Sequence, residues 1–294
     1  MAGFKIKMAR QHGEKIAEEY GFTSFPVNPK EIAIKEEIIV QAKPPEQAGV
    51  SGALIFANNE VILIYSQQHN NLGFENFSIA HELGHYFLEG HPDEIINKQG
   101  GTHISRSNFI EGSSIELEAD HFASGLLMPS HLVRQFLSER TVGLDSIIAL
   151  ADIAGCSITA AAIRSAECSD HPVAIVMSKG DEIAYSFMTD NFKSLGKLAF
   201  LRKGSMVPIS ETRTFNQNPN NVLNGEKINA ETTLADWFDG SGMVILDEEI
   251  IGLGKYGYTL TVLSSEELPV DPSDDYDDDE NVEDQWTPKF AYGR

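Results

Sequence analysis

Cysteine is scarce in this chain. Its 294 residues hold only Cys156 and Cys168, too few for a disulfide framework and not spaced as a zinc-binding pair. Positive charge is short as well: 22 Lys and Arg stand against 44 Asp and Glu, a formal charge of −22. An acidic chain repels nucleic-acid phosphate unless its basic groups cluster, and no cluster occurs here. DNA and RNA are thereby excluded as direct partners. Long apolar runs are missing too. The longest are interrupted by charge, so no stretch of about 20 residues could span a bilayer. Residues 1–14 carry Lys5, Lys7 and Arg10 and no apolar secretory segment. The expectation is a soluble, cytoplasmic protein with reduced thiols and no membrane contact.

What is present is ordinary globular material. Apolar residues make up 41% of the chain, beside 24 glycines, enough for a sizeable core in one large or two modest domains. Half of the net charge is local: residues 266–284 hold eleven acids and no Lys or Arg. The stretch beyond Leu268 has too few apolar residues to offset the entropy of ordering, and is expected to be disordered.

Periodicity predicts a helix over 4–20 and a short second helix capped by Asn28, with Pro29 at its first position. Extended segments follow at 38–40, 50–57 and 61–65, the last two joined by a tight turn at Asn58-Asn59. A strong helix spans 74–88, a polar loop 89–112, and a second strong helix 114–128. Two short helices flank Gly155 within 143–166. Beyond Pro172 the texture changes to alternating β-branched and polar residues, at 173–177, 182–187, 243–246 and 258–263.

The informative segment is His81-Glu82-Leu83-Gly84-His85. On a helix, positions i and i+4 stack on one face, so His81 and His85 can present imidazoles to one metal ion. Glu82 lies one step round, within reach of a water on that ion. Ile79, Ala80, Leu83, Tyr86 and Phe87 supply a core stripe at helical spacing. The bland alternative is a surface helix with two solvated histidines.

A catalytic zinc site needs a third protein ligand and an open fourth position. The segment Ile115-Glu116-Leu117-Glu118-Ala119-Asp120-His121-Phe122-Ala123 offers three acids, and helical-wheel arithmetic at about 100° per residue chooses among them. Ile115, Ala119, Phe122 and Leu126 mark the buried centre. Glu116 and Asp120 lie on an inward flank, whereas Glu118 and His121 fall on the opposite flank, toward solvent. Glu116 is therefore the third ligand, and Asp120 is placed to orient a ligating imidazole through its second nitrogen. Ser113 and Glu116 also fit a capping box, but an inward acid needs a partner. His103 and Tyr86 are candidates for the group that steadies the tetrahedral oxyanion, and neither is assigned.

The stretch Phe77-Ser78-Ile79-Ala80-His81-Glu82-Leu83-Gly84-His85, followed by Glu116-Leu117-Glu118-Ala119-Asp120-His121-Phe122-Ala123 and Leu126-Leu127-Met128-Pro129, resembles the ImmA/IrrE family of metallopeptidases. The likeness covers about residues 5–135, with Asn76-Phe77 standing where members often carry Arg-Phe. It implies a bacterial or phage origin and a zinc peptidase that cleaves or inactivates a helix-turn-helix repressor in a stress or prophage switch. Some members also carry a small sensor-like C-terminal domain.

Two further signals are set aside. Gly252-Leu253-Gly254-Lys255-Tyr256-Gly257 matches the dinucleotide fingerprint literally. That fingerprint needs a helix after its glycines, and Tyr258-Thr259-Leu260-Thr261-Val262 reads as a strand. Residues 151–164 resemble a helix-turn-helix, but between 141 and 166 only Arg164 is basic, too little for phosphate contacts.

The expected fold is α+β. A zincin-like metallopeptidase domain occupies 1–140, a helical linker 141–170, a β-rich domain 171–268 and an acidic tail 269–294. His81, His85 and Glu116 hold the metal, Glu82 is the catalytic base, and Asp120 backs a ligand. The donor set suits Zn2+ best and is open to Mn2+ or Fe2+. The substrate is a regulatory protein, a repressor by resemblance. The rival reading is a non-proteolytic anti-repressor whose metal is structural.

Overall fold

A computed structural model describes residues 2–43, 50–67, 71–105, 114–196, 198–239 and 244–265. The acidic tail, the Pro44-Pro45 segment and Ser113 lie outside the described residues. Two units divide the described residues: one within 1–135 and 149–161, the other within 136–148 and 162–265. The segment 141–170 holds two helices, Leu144–Ala154 and Ile158–Cys168.

The first unit opens with α1 (Ala2–Glu19) and α2 (Pro29–Lys35). Asn28 starts α2 by accepting from the backbone N–H groups of Lys30 and Glu31, which satisfies donors the helix cannot. Three strands follow: β1 (Ile39–Lys43), β2 (Gly52–Ala57) and β3 (Glu60–Ser66). Asn58 and Asn59 both take positive φ, the geometry of the tight turn joining β2 to β3. Next come α3 (Leu72–Phe87), α4 (His91–Lys98), β4 (Thr102–Ser105), α5 (Ser114–Leu127) and α6 (Ser130–Leu137). The region expected to be a polar loop over 89–112 therefore contains a helix and a strand. The sheet order is β1-β3-β2-β4, with β1 parallel to β3 and the other pairs antiparallel. Among the described residues β4 is an edge strand, hydrogen-bonded to β2 alone.

α5 packs against both α1 and α3. A Cβ on Gly13 would meet the backbone oxygen of Phe122 at 2.2 Å, and one on Gly125 would meet that of Arg10 at 2.1 Å. The α1 and α5 backbones approach this closely because both positions lack a side chain. Leu54, Leu63, Leu83, Phe122 and Leu126 form the fully buried centre of this unit, each contributing about 1.5–3 kcal/mol by burial. The core fixes α3 against α5, and so fixes the residues they carry.

Two helices begin the remainder of the chain, α7 (Leu144–Ala154) and α8 (Ile158–Cys168). Arg164 on α8 is buried and pairs with Glu167 at 2.6 Å, so the one cation of the helix-turn-helix-like segment is engaged internally. Burial pushes the Cys156 thiol up to about 12, which makes it inert at neutral pH.

The second unit is built on β5 (Val173–Lys179), β6 (Glu182–Met188), β7 (Lys227–Thr233), β8 (Ile245–Gly252) and β9 (Thr259–Ser264). These pair throughout in antiparallel fashion, in the order β6-β5-β9-β8-β7. Four short helices, α9 (Asp190–Lys193), α10 (Glu211–Asn216), α11 (Pro219–Asn224) and α12 (Leu234–Phe238), punctuate it, so this part is mixed rather than purely β. Gly254–Tyr256 is a 3-10 turn leading into β9, which removes the helix that a dinucleotide fingerprint requires.

A buried polar chain runs between α10 and the sheet. The Thr212 N–H and hydroxyl both donate to Oε1 of Glu248, at 2.7 and 2.6 Å. The hydroxyl also lies 2.8 Å from that of Thr261. Among the described residues no single helix is long and apolar enough to cross a membrane.

Candidate metal centre

α3 has apolar residues on most of its surface and is buried along 78–85. A helix in that position must satisfy every polar side chain it carries inside the fold. Gly84 makes room for this. A Cβ there would meet Ala119 Cα at 3.0 Å, so the Gly84–Ala119 contact sets the distance between α3 and α5. His81 and His85 then face Glu116 across the gap.

The donor atoms converge. His81 Nε2 and His85 Nε2 are 3.2 Å apart, and each lies 3.4 Å from an oxygen of Glu116. His103 of β4 brings its Nε2 to 2.9 Å from Glu116 Oε1. One ligand atom from each of His81, His85, His103 and Glu116 falls within 4.8 Å of all the others, a group that could hold a metal ion.

The outward ring nitrogens explain why the inward ones are available. Asp120 Oδ1 lies 2.8 Å from His81 Nδ1. His85 Nδ1 lies 3.2 Å from His91 Nδ1, and His91 Nε2 lies 3.4 Å from Glu118 Oε2. Carboxylates only accept, so His91 is assigned its proton on Nε2 and accepts from His85 at Nδ1. Both α3 histidines thus turn Nε2 toward Glu116. Zinc–nitrogen bonds of about 2.0–2.1 Å in a tetrahedron give donor–donor edges of about 3.3 Å, close to the separations among His81, His85 and Glu116. The residues fit a divalent ion.

Electrostatics agree with the packing. Burial works to lower the His81 pKa, but hydrogen bonds and charge from Asp120 and Glu116 outweigh it and hold the imidazole well above its ordinary value. Burial, with the nearby imidazoles of His81 and His103, carries His85 down to about 3. Although burial opposes it, the imidazoles of His103, His81 and His85 hold the Glu116 carboxyl far below the carboxylate range. The centre is an acidic ligand facing one neutral imidazole and one readily charged one.

Glu82 is fully buried beside this group. Its Oε1 accepts from the Ser105 hydroxyl at 2.6 Å, while Oε2 has no hydrogen-bond partner. Burial raises its pKa, against the lowering pull of His81 and Ser105. A Cβ on Gly52 of β2 would sit 2.4 Å from Glu82 Oε1, so only glycine leaves the carboxylate its place. His103 and Ser105 alternate on β4 and share a face, which brings both to α3.

The structure therefore gathers His81, Glu82, His85, Glu116 and Asp120 at one point. It corrects the α5 flank assignment. Glu118 and His121 do not face solvent: His121 is buried, and the Glu118 side chain is 14% exposed behind His91. The wheel identifies one buried face, but α5 is covered by two helices. Tyr86 points elsewhere, donating to Glu36 Oε2 at 3.0 Å. His91 and Ser105 carry no spacing signal in the sequence.

An α+β domain that turns the His-Glu-x-x-His of one helix and an acid of the next onto a single point defines a class, the metallopeptidase-type metal domain. The chain carries a domain of the ImmA/IrrE family: the IrrE N-terminal-like domain of the Peptidase M78 family matches residues 35–165. Among curated proteins none matches the chain. Among solved structures, a Mycobacterium tuberculosis transcriptional regulator is similar, with a TM-score of 0.56 at 13% identity. The similarity covers 87% of this chain and 76% of that one. At that identity the likeness is one of fold.

Proposed function

We propose that this chain is a zinc-dependent endopeptidase that cleaves one regulatory protein, a helix-turn-helix repressor. The observation that carries the reading is Glu82. A buried carboxylate with one unpartnered oxygen costs stability, and a purely structural metal site has no use for it. His81, His85 and Glu116 would hold the ion, with Asp120 and His91 fixing the two imidazoles from behind. The ion, when bound, supplies Lewis acidity, acidifying water and polarising a carbonyl. Glu82 Oε2 takes the proton of the attacking water and returns it to the leaving amine. Ser105 holds the other carboxylate oxygen and so orients Oε2. The repressor as substrate, and action in the cytoplasm on protein rather than nucleic acid, rest on the family likeness and the acidic composition.

A second reading has a specific observation behind it. Structural zinc sites are closed by four protein ligands, and His103 brings a fourth donor to this one. The chain would then be an anti-repressor that binds without cutting. Glu82→Gln separates the two. As a peptidase it keeps its metal and its hold on the partner, and cleavage falls by about 10²–10⁴-fold. Full inactivation of the partner by Glu82→Gln, with the partner recovered uncut, would establish the binder instead.

A further inference from the structure

We propose that His103 is a displaceable fourth metal donor, which closes the centre at rest and must leave before water can take the position used for hydrolysis. The inference rests on the peptidase reading and adds its regulation.

The tautomer of His103 comes first. Its Nδ1 lies 2.9 Å from Oε1 of Gln99, a carbonyl oxygen that only accepts. The ring proton is thus assigned to Nδ1, and Nε2 is left with a bare lone pair. That nitrogen is buried, on a residue only 7% exposed overall, and has no hydrogen-bond partner. Glu116 Oε1 is 2.9 Å away, without forming a hydrogen bond to it. A cation between them gives Nε2 the partner it lacks.

His103 is also the donor that fits least well. His81 Nε2 and His85 Nε2 are 3.2 Å apart and lie 3.4 Å from Oε2 and Oε1 of Glu116 respectively, near the tetrahedral edge of about 3.3 Å. The 2.9 Å between His103 and Glu116 instead corresponds to an angle of about 90° at an ion with bonds of about 2.05 Å. A crowded donor is the one most easily given up. Its support is the lightest too. His81 and His85 sit within α3, and Glu116 belongs to α5, which is packed on two helices. Among the described residues His103 rides on a four-residue edge strand bonded on one side only. Immediately before that strand, Gly100 and Gly101 both take positive φ, a joint that other residues would stiffen.

Because Ser105 lies on the same strand and holds Glu82, displacement of β4 would open the fourth position and release the base together. A substrate segment or partner that engages this edge is the event that would do so.

The test uses the full chain loaded with Co2+, whose absorption reports coordination number, and acetohydroxamate as a small competing ligand. The parent chain is expected to give the intense visible band of a four-coordinate ion and to bind acetohydroxamate weakly. His103→Ala should lose intensity as water enters, bind acetohydroxamate at least about 10-fold tighter, and hold zinc about 10-fold less tightly or worse. Gln99→Ala, which frees the tautomer without removing the ring, should move the same readouts in the same direction by less. It remains informative if His103→Ala does not fold.

Identical spectra and equal acetohydroxamate affinity in parent and variants would overturn the proposal. So would an unchanged spectrum with a collapse in partner cleavage, which would make His103 an oxyanion-stabilising group. A parent chain that takes up no Co2+ would bring down the metallopeptidase reading and this inference together. A parent with an already open, five-coordinate ion would bring down this inference alone.

Discussion

His85 and His91 meet nitrogen to nitrogen, Nδ1 to Nδ1, at 3.2 Å. The contact ties a helix-borne donor to a residue from the following helix, and through it to Glu118 at 3.4 Å. His81 is backed in the same way by Asp120, directly and at shorter range. Each α3 imidazole thus has an acid of α5 behind it. The three acids of Glu116-Leu117-Glu118-Ala119-Asp120 divide into one that faces the donor group and two that support it.

That division predicts a graded response to substitution. Glu116→Ala and His85→Ala should lose the ion outright, as read by metal content after dialysis. Asp120→Ala and Glu118→Ala should retain it at saturation. Their affinities should fall by about 10–100-fold for Asp120 and less for Glu118, whose contact is longer and indirect. Equal losses from Glu116→Ala and Glu118→Ala would contradict the geometry.

Metal uptake should release protons, and the shifts say from where. In the metal-free chain at pH 6.5, His81 carries its proton because its pKa lies well above the ordinary value. His85, at about 3, is already neutral, and Glu116 is already ionised. Uptake should therefore displace about one proton from His81. Calorimetry in buffers of different ionisation enthalpy counts it. Asp120→Asn removes a cause of the raised pKa, so its proton release at pH 6.5 should be smaller.

Glu82 should be a cost to the metal-free fold. Its pKa is raised by burial, so the ionised carboxylate destabilises the folded state above that pKa. The penalty fades as pH falls toward the ordinary carboxylate range near 4.5. Metal-free Glu82→Gln should melt higher than the parent at pH 8, with the gap closing on acidification. An equal or lower melting temperature at pH 8 would show that the buried charge is compensated.

Two glycines should be intolerant for separate reasons. Gly52→Ala drives a methyl group against Glu82 Oε1, so partner cleavage should fall sharply while metal content stays at parent level. Gly84→Ala presses on Ala119 and should spread α3 from α5, costing about 1–3 kcal/mol as overpacking does and weakening metal affinity as well. Denaturant melts and metal titrations on the two variants distinguish the cases.

The second unit offers an independent check. Thr212→Val removes a hydroxyl donor from the buried Glu248 carboxylate and should cost about 1–3 kcal/mol. Thr212→Ser keeps the hydroxyl and should recover most of it. Metal content should be unchanged in both.

Much of the first unit was legible because single residues carry local instructions. Asn28 before Pro29, the Asn58-Asn59 pair and the stripe through Ile79, Leu83 and Phe87 each act within one turn of chain. The metal helix and its acid partner were legible for the same reason: a helix face is fixed by its own spacing. What was missed depends on distant packing. α4 is eight residues long and begins at a left-handed Gly90 with no side-chain cap. β4 has four residues and takes its register from β2. β7, with Lys227, Asn229 and Glu231 along it, reads as polar surface, and becomes a strand only because β8 offers it an edge. Glu118 and His121 were turned outward because no helical wheel can show that a second helix, α1, closes their side.

The contact between α1 and α5 also separates two kinds of boundary. Recognisable kinship begins at residue 35, whereas the physical domain begins inside α1, since Gly13 and Gly125 bring its backbone against the helix that bears Glu116. A fragment trimmed to the limits of kinship would leave one flank of Phe122 and Leu126 wet. It should aggregate, or purify without metal, though every donor is still encoded. For this protein α1 is one wall of the vessel that could hold the ion.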